Sequence, residues 1–360
     1  MSTPQNAAEC PRSGLLRTSS VVLELFFVFV LLPQLLLAQP PDYSQPTNTA
    51  HVVIVEDANA TEAFRPREDY VEAMVRRGII RLTEKKDLRE AWLSLVGTQD
   101  VVGIKVSSKQ GDSSGTRLAV VAAVARGLIA AGVPSQQIII WDRYEATLRD
   151  AGFEWVAEEL RIRCAASTVR GWDETNAYDT PLIGNPVYGD LEFEKKGEGV
   201  GRKSHVSKLI TSEITKIISI TPMLNHAAAG VCGHLYGLAM DSVDNVLRFA
   251  DDPGRLAQAV PEICALPSLG DRVALNITDA LICQYEGGQK GLLHYSTMLN
   301  QLRFSRDPVA LDVLSIKELD VQRRKGKSPN FRPNVELYRN AALLELGIAD
   351  PARIRIETLR

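Results

Sequence analysis

The sequence predicts an α/β fold, a largely parallel sheet flanked by helices, and three observations carry that expectation. Short β-branched runs recur along the chain: HVVIVED at 51–57, VVGIKV at 101–106, QIIIWD at 137–142, KIISIT at 216–221 and RVALNITD at 272–279. They are apolar at consecutive positions, the pattern of strands covered on both faces. Helical patterns alternate with them, which favours βαβ units over a sandwich or barrel.

The run at 101–106 opens the clearest such unit. After it, TRLAVVAAVARGLIAAG places Leu118, Val121, Ala122, Ala125 and Leu128 at helical spacing and ends on Gly132, a good helix terminator. The strand at 137–142 follows, and a right-handed crossover makes it parallel to the first. Further helices are expected near 66–77, 87–96, 235–249, 307–324 and 335–346. Residues 171–205 are rich in Gly, Pro, Asp and Tyr and read as an irregular insertion, with a hairpin within PVYGDLEFEKKGEGVGRK. The basic run Arg323, Arg324, Lys325 and Lys327 reads as a solvated helix end.

With 360 residues, 45% hydrophobic and 24% charged, the chain has the apolar content for a sizeable core, which excludes disordered and fibrous classes. Its 41 basic and 44 acidic residues give a net charge of −3 without a long block of one sign, so nucleic acid is not an expected partner. Residues 1–38 end in VVLELFFVFVLLPQLLLA, which follows Arg12 and Arg17 and precedes a Pro-rich linker at 39–50. This is the plan of a signal peptide for export to the periplasm or exterior. The alternatives are an uncleaved membrane anchor, the one route to membrane contact, or a buried helix. Residues 51–360 are then expected to form a single α/β domain. Cys164, Cys232, Cys264 and Cys283 are far apart and make no CxxC pair, so a disulfide scaffold, a zinc ribbon and an iron–sulfur cluster are not expected. They read as isolated buried thiols or as one or two disulfides.

In open parallel sheets ligands gather at the carboxyl ends of the strands. Applied strand by strand, that rule selects Glu56 and Asp57, Lys105, Asp142, His226 and Asp279. The loop from Lys105 to Thr116 combines two lysines, several hydroxyls and two glycines ahead of a helix, chemistry suited to an anion, though it is no P-loop. Lys105 would neutralise the anion while Ser107 and Thr116 donate hydrogen bonds. The alternative is a polar loop in which Ser114 or Thr116 caps the helix. A buried Lys105 requires either an anionic ligand or a structural carboxylate, and strand order nominates Asp142 and Asp279.

A second constellation runs from Asn225-His226 through Gly230, Cys232, Gly233 and His234 to Gly237. His226 is the acid/base candidate. Cys232 and His234 are, with His226, either soft-metal ligands or packed polar groups. Asp241 and Asp244, with Asp279 and Asp307, are candidate oxygen ligands for a divalent cation such as Mg²⁺ or Mn²⁺. Asp307 alternatively caps a helix beginning at Pro308. A glycine turn at 286–291 follows the Asp279 strand and offers backbone N–H groups.

The order of these motifs resembles domain-of-unknown-function family 362 over about residues 50–350. The likeness lies in the Lys105 strand, the Asn225-His226 to Gly237 turn, the Asp279 strand before its glycine turn, and DPVALD at 307–312. The resemblance implies a fold and redox company, since many relatives carry an attached iron–sulfur ferredoxin module whose cysteine cluster this chain lacks. Lys105-Val106-Ser107 stands where the family shows Lys-Pro-Asn, and Met240-Asp241 where it shows Lys-Asn, exchanging a positive group for a negative one. The expectation is therefore an exported protein that binds a small anionic metabolite or cofactor in a cleft lined by Lys105, Ser107, Asp142, His226, Asp279 and Asp307. It acts there as an enzyme, or serves as a non-catalytic accessory to an envelope redox system, with a redox partner protein.

Overall fold

The computed structural model describes residues 49–180, 201–288, 290–328 and 332–360. Residues 1–38, expected to direct export, and most of the expected hairpin sequence lie outside the described residues. Those described fall in one unit, Asn48–Arg360.

Eight strands form the sheet: β1 (Ala50–Glu56), β2 (Val102–Lys105), β3 (Ile138–Asp142), β4 (Arg163–Ala166), β5 (Lys216–His226), β6 (Val273–Gln284), β7 (Ser296–Ser305) and β8 (Ile354–Leu359). A two-residue strand, Gly230–Val231, folds back on the end of β5. The spatial order is β8-β1-β7-β6-β5-β2-β3-β4. Five of the neighbouring pairs are parallel. β7 runs antiparallel to both β1 and β6, so the other seven strands share one direction.

The period of two along the strands divides their side chains between two faces. Ile138 and Ile140 of β3 join one core cluster and Ile139 and Trp141 the other. On the first face lie helices α1 (Glu68–Thr83) and α2 (Leu118–Ala131), which contribute Met74 and Val121. On the second lie α3 (His234–Ser242), α4 (Pro253–Cys264) and α6 (Val335–Leu343), with Leu235, Leu256 and Leu337. Helix α5 (Pro308–Lys325) covers Val52 and Ile54 of β1 with Ala310, Leu311 and Leu314. This double cover explains why the strands read as unbroken apolar runs. Gly132 ends α2 at φ 104°, and its N–H returns to the carbonyls of Leu128 and Ile129.

The differences from the sequence expectations are local. β4, β7 and β8 were not anticipated. β7 reads STMLNQLRFS, whose polar residues mask the alternation that buries Leu302 and Phe304. The helix expected at 235–249 stops at Ser242, where Val243 turns extended at φ −125°. The insertion does pair, Trp172–Asp179 against Lys203–Ser207. Arg323 is no solvated helix end: it is 2% exposed and lies 3.5 Å from Glu286, while Arg324 and Lys325 face water. The four cysteines among the described residues are free thiols, Cys164 half-buried and the others buried. Among the described residues no helix is long and apolar enough to cross a membrane.

Candidate functional site

β2 and β3 are parallel neighbours with Lys105 opposite Trp141, so the carboxyl ends of both strands reach the same edge. Lys105 is 1% exposed. Its Nζ donates to Asp142 Oδ1 at 3.0 Å, to Asp241 Oδ2 at 2.8 Å, and to the carbonyl of Val106. Burial alone lowers the lysine pKa, but the two carboxylates outweigh it and the net shift is upward. The partners are unequal. Asp142 also accepts from the Ser108 N–H and hydroxyl at 2.7 and 2.6 Å and from the Arg143 N–H at 2.8 Å. Against the cost of burial, Lys105 and these donors hold its carboxyl below the usual range. Asp241 lacks that support: burial and the Asp142 charge push it up to about 7 in spite of Lys105.

Asp241 reaches this place because both ends of α3 are fastened. At the start, Asp312 accepts the N–H groups of His234 and Leu235 at 2.8 and 3.1 Å. Gly233 is required for that approach, since a Cβ there would stand 2.1 Å from Asp312 Oδ1. At the far end the Arg143 guanidinium donates to the carbonyls of Met240, Val243 and Asp244 at 2.6, 2.5 and 2.7 Å, where a cation also complements the helix dipole.

His226 stacks on Tyr236 with ring centroids 4.2 Å apart, and its Nδ1 accepts the Ala229 N–H at 3.0 Å. Burial, and then the Lys109 charge, push its pKa down to about 4. The ring is thus neutral at pH 7 with its proton on Nε2, where it donates rather than accepts. Together these groups line a cleft of about 460 Å³ that includes Ser107, Lys109, Asp142, Tyr144, His226, Tyr236 and Asp241. Cys232 is also in the wall, as a buried thiol pushed up to about 12 and hence protonated.

Other residues selected from the sequence lie elsewhere. Lys105 sits behind the cleft, clamped by carboxylates. Thr116 Oγ1 accepts the Ser107 N–H at 3.0 Å and donates to the Ile220 carbonyl at 2.8 Å, which makes it a fastener of the loop. Asp279 is fully buried, accepts the Arg117 N–H at 3.0 Å and pairs with its guanidinium at 3.4 Å, because β6 lies beyond β5 from Lys105. Asp307 caps α5 through the Ala310 N–H and also holds the Ile348 N–H, both at 2.8 Å. Asp244 binds the backbone and ring of His205 at 2.7 and 3.1 Å. The four acids proposed to share a cation therefore do not converge. Among the described residues no group of three or more His, Cys, Asp or Glu is placed to hold a metal. His234 is a packed histidine, bonded to Ser219 at 2.9 Å and Thr278 at 3.1 Å. The Gly288 N–H of the glycine turn is spent on Asn225 at 3.1 Å.

Sequence reasoning missed the Lys105–Asp241 pair and the Arg143 clamp. A signal for the first was the negative Asp241 at a position where the resembling family carries a polar neighbour of lysine. Arg143 gave none, since its partners are carbonyls.

Asp312 is fully buried, and burial pushes its carboxyl up to about 7. Below about pH 4 the folded and unfolded chains both hold this proton. Between pH 4 and 7 the unfolded chain releases it while the folded chain retains it, so stability falls as pH rises through that window. Asp312→Asn is expected to flatten this decline in a series of urea midpoints, leaving the share due to Asp241. An unchanged slope would mean that Asp312 is ionised in the fold.

No protein-family model and no curated protein matches the chain. A structural-genomics crystal structure of a Thermotoga maritima protein is similar to it at 11% identity and a TM-score of 0.39, over 74% of this chain and 61% of that one. The present chain thus spans about three fifths of that protein's length.

Proposed function

We propose that this protein binds a small anionic metabolite in the cleft at the carboxyl edge of β2, β3 and β5, with Lys109 rather than Lys105 as the cation that meets it. One observation carries this reading. A cleft of about 460 Å³, within the range of small-molecule sites, is lined by Ser107, Lys109 and a neutral His226 among others. Lys105 is ruled out of that role by its two carboxylates and its 1% exposure. The motif order that resembles family 362 points to the same strand ends.

Thermal shift with a panel of small carboxylates and phosphates tests the reading. A ligand at 100 times its Kd adds about 2.7 kcal/mol to a one-site protein. The wild type is expected to gain stability with at least one member, and Lys109→Met to lose that gain while unfolding normally without ligand. No response from the wild type to any anion, or an equal response from the variant, would overturn it.

A further inference from the structure

We propose that the cleft removes and returns a proton on the carbon beside the carbonyl of a small oxo acid, with Asp241 as the base, Lys105 and Asp142 positioning it, and His226 donating from Nε2 to the carbonyl oxygen. The proposal rests on the anion-binding reading and adds to it a reaction and a substrate class.

The geometry separates two carboxylates that share one ammonium. Asp142 has three donors besides Lys105 and its side chain is 5% exposed, so it serves as a fixed counter-charge. Asp241 has 22% of its side chain exposed and lies in the cleft wall. Asp241 is held by Lys105 through Oδ2 and touches Asp142, while part of its side chain remains at the cleft, the placement a base needs.

The charges around Asp241 come from every side. β2 brings Lys105 and the loop after it Lys109, while β3 brings Asp142 and, just beyond, Arg143. The β5 turn presents neutral His226 and the protonated Cys232. Tyr236 lies on its own helix, and Asp251 is in the same wall. Asp244, three residues on, is engaged by His205. Of these, burial and Asp142 push the Asp241 carboxyl up and Lys105 draws it down, which leaves it at about 7, where a base works well near neutrality.

In the step itself the substrate C–H bond breaks and its electron pair remains on the substrate as an enolate. An O–H bond forms on Asp241. The Nε2–H of His226 and the Lys109 ammonium meet the charge that develops on oxygen. Return of the proton from Asp241 to the same carbon restores the oxo acid, and in heavy water it delivers deuterium.

The probe is 2-oxobutanoate in deuterated buffer with the full chain, read by NMR at carbon 3 after subtraction of the buffer rate. The wild type is expected to raise exchange by about a hundredfold, the lower end for general acid–base catalysis. The rate should climb as pH rises through about 7 and level above it. Asp241→Asn is expected to abolish the exchange while keeping the thermal shift from 2-oxobutanoate. Asp142→Asn should move the midpoint to lower pH, because it removes the negative charge that raises Asp241, an effect that a merely structural role would not produce.

Binding without exchange, exchange retained in Asp241→Asn, or a wild-type rate flat between about pH 5 and 9 would overturn the inference and leave anion binding standing. The wild-type profile needs no variant to fold. Failure of 2-oxobutanoate to bind where other anions do would overturn the substrate class, whereas failure of every anion would sink the binding reading beneath it.

Discussion

Lys105→Met is expected to lower the unfolding free energy by about 3 to 5 kcal/mol, the usual result of removing one partner from a buried ion pair. The ammonium is 1% exposed and stands between Asp142 and Asp241, 3.0 and 2.8 Å away. Without it two carboxylates face each other with no cation between them. The sign of the pH dependence follows from the shifts. The folded lysine pKa is raised above its usual value, so its contribution is constant across neutral pH and is lost only in strong alkali. In the variant Asp241 must hold a proton to avoid Asp142, so the deficit grows as pH rises through 7. Urea unfolding at pH 6 and 8 measures both effects. The double change Lys105→Met with Asp241→Asn is expected to cost less than the two single changes added together, the mark of direct coupling. A loss below about 1 kcal/mol, the range of an exposed pair, would show that the ammonium is not the keystone of this edge.

Arg143→Met comes next in size, at about 3 kcal/mol or more, since each hydrogen bond from a charged group is worth about 1.5 to 3 kcal/mol. The guanidinium is 5% exposed and serves three carbonyls at the end of α3, with the rings of Tyr144 and Trp172 at 5.4 and 5.6 Å. Methionine comes near its bulk but removes the donor to the Met240 and Val243 carbonyls and leaves Asp244 only the Val246 N–H. Lysine is a poor replacement, because one ammonium cannot reproduce the planar fork. Chemical unfolding of Arg143→Met and Arg143→Lys reads the cost. If Arg143→Lys equals the wild type, a point charge suffices and the fork is not what holds the helix end.

Local pattern explains what was legible in the fold. The strands that hold the site, β2, β3 and β5, are apolar runs covered on both faces, and such runs announce themselves without knowledge of their partners. The Gly132 terminator and the Asp307 cap are likewise decided within one helical turn. β7 escaped notice because its character is set by neighbours: it lies between β1 and β6, and Arg303 finds Glu318 from α5 at 3.3 Å. β4 is as short as β2 but reads Arg-Cys-Ala-Ala, without the β-branched residues that mark a strand.

At the site the strand-end rule found Asp142 and His226, which line the cleft, and Lys105 just behind it, while the loop after Lys105 contributed Ser107. The rule also picked Asp279, and the cation reading Asp307, whose carboxylates are occupied by backbone N–H groups. A carboxylate that caps and one that lines a cleft look alike in sequence. The neutrality of His226 was also out of reach, since it depends on burial and on Lys109.

By itself, then, the sequence determined the α/β class, the βαβ unit from β2 to β3, and the gathering of polar groups at one edge of the sheet. Backbone propensity and the spacing of apolar residues are local quantities, and they suffice for these. Only the tertiary structure decided which carboxylates meet Lys105, where the antiparallel strand enters, and which titratable groups are buried. Those depend on strand order and on the docking of α3, which place Asp142 and Asp241 about one ammonium. Charge pairing falls off with distance in space and takes no account of separation along the chain.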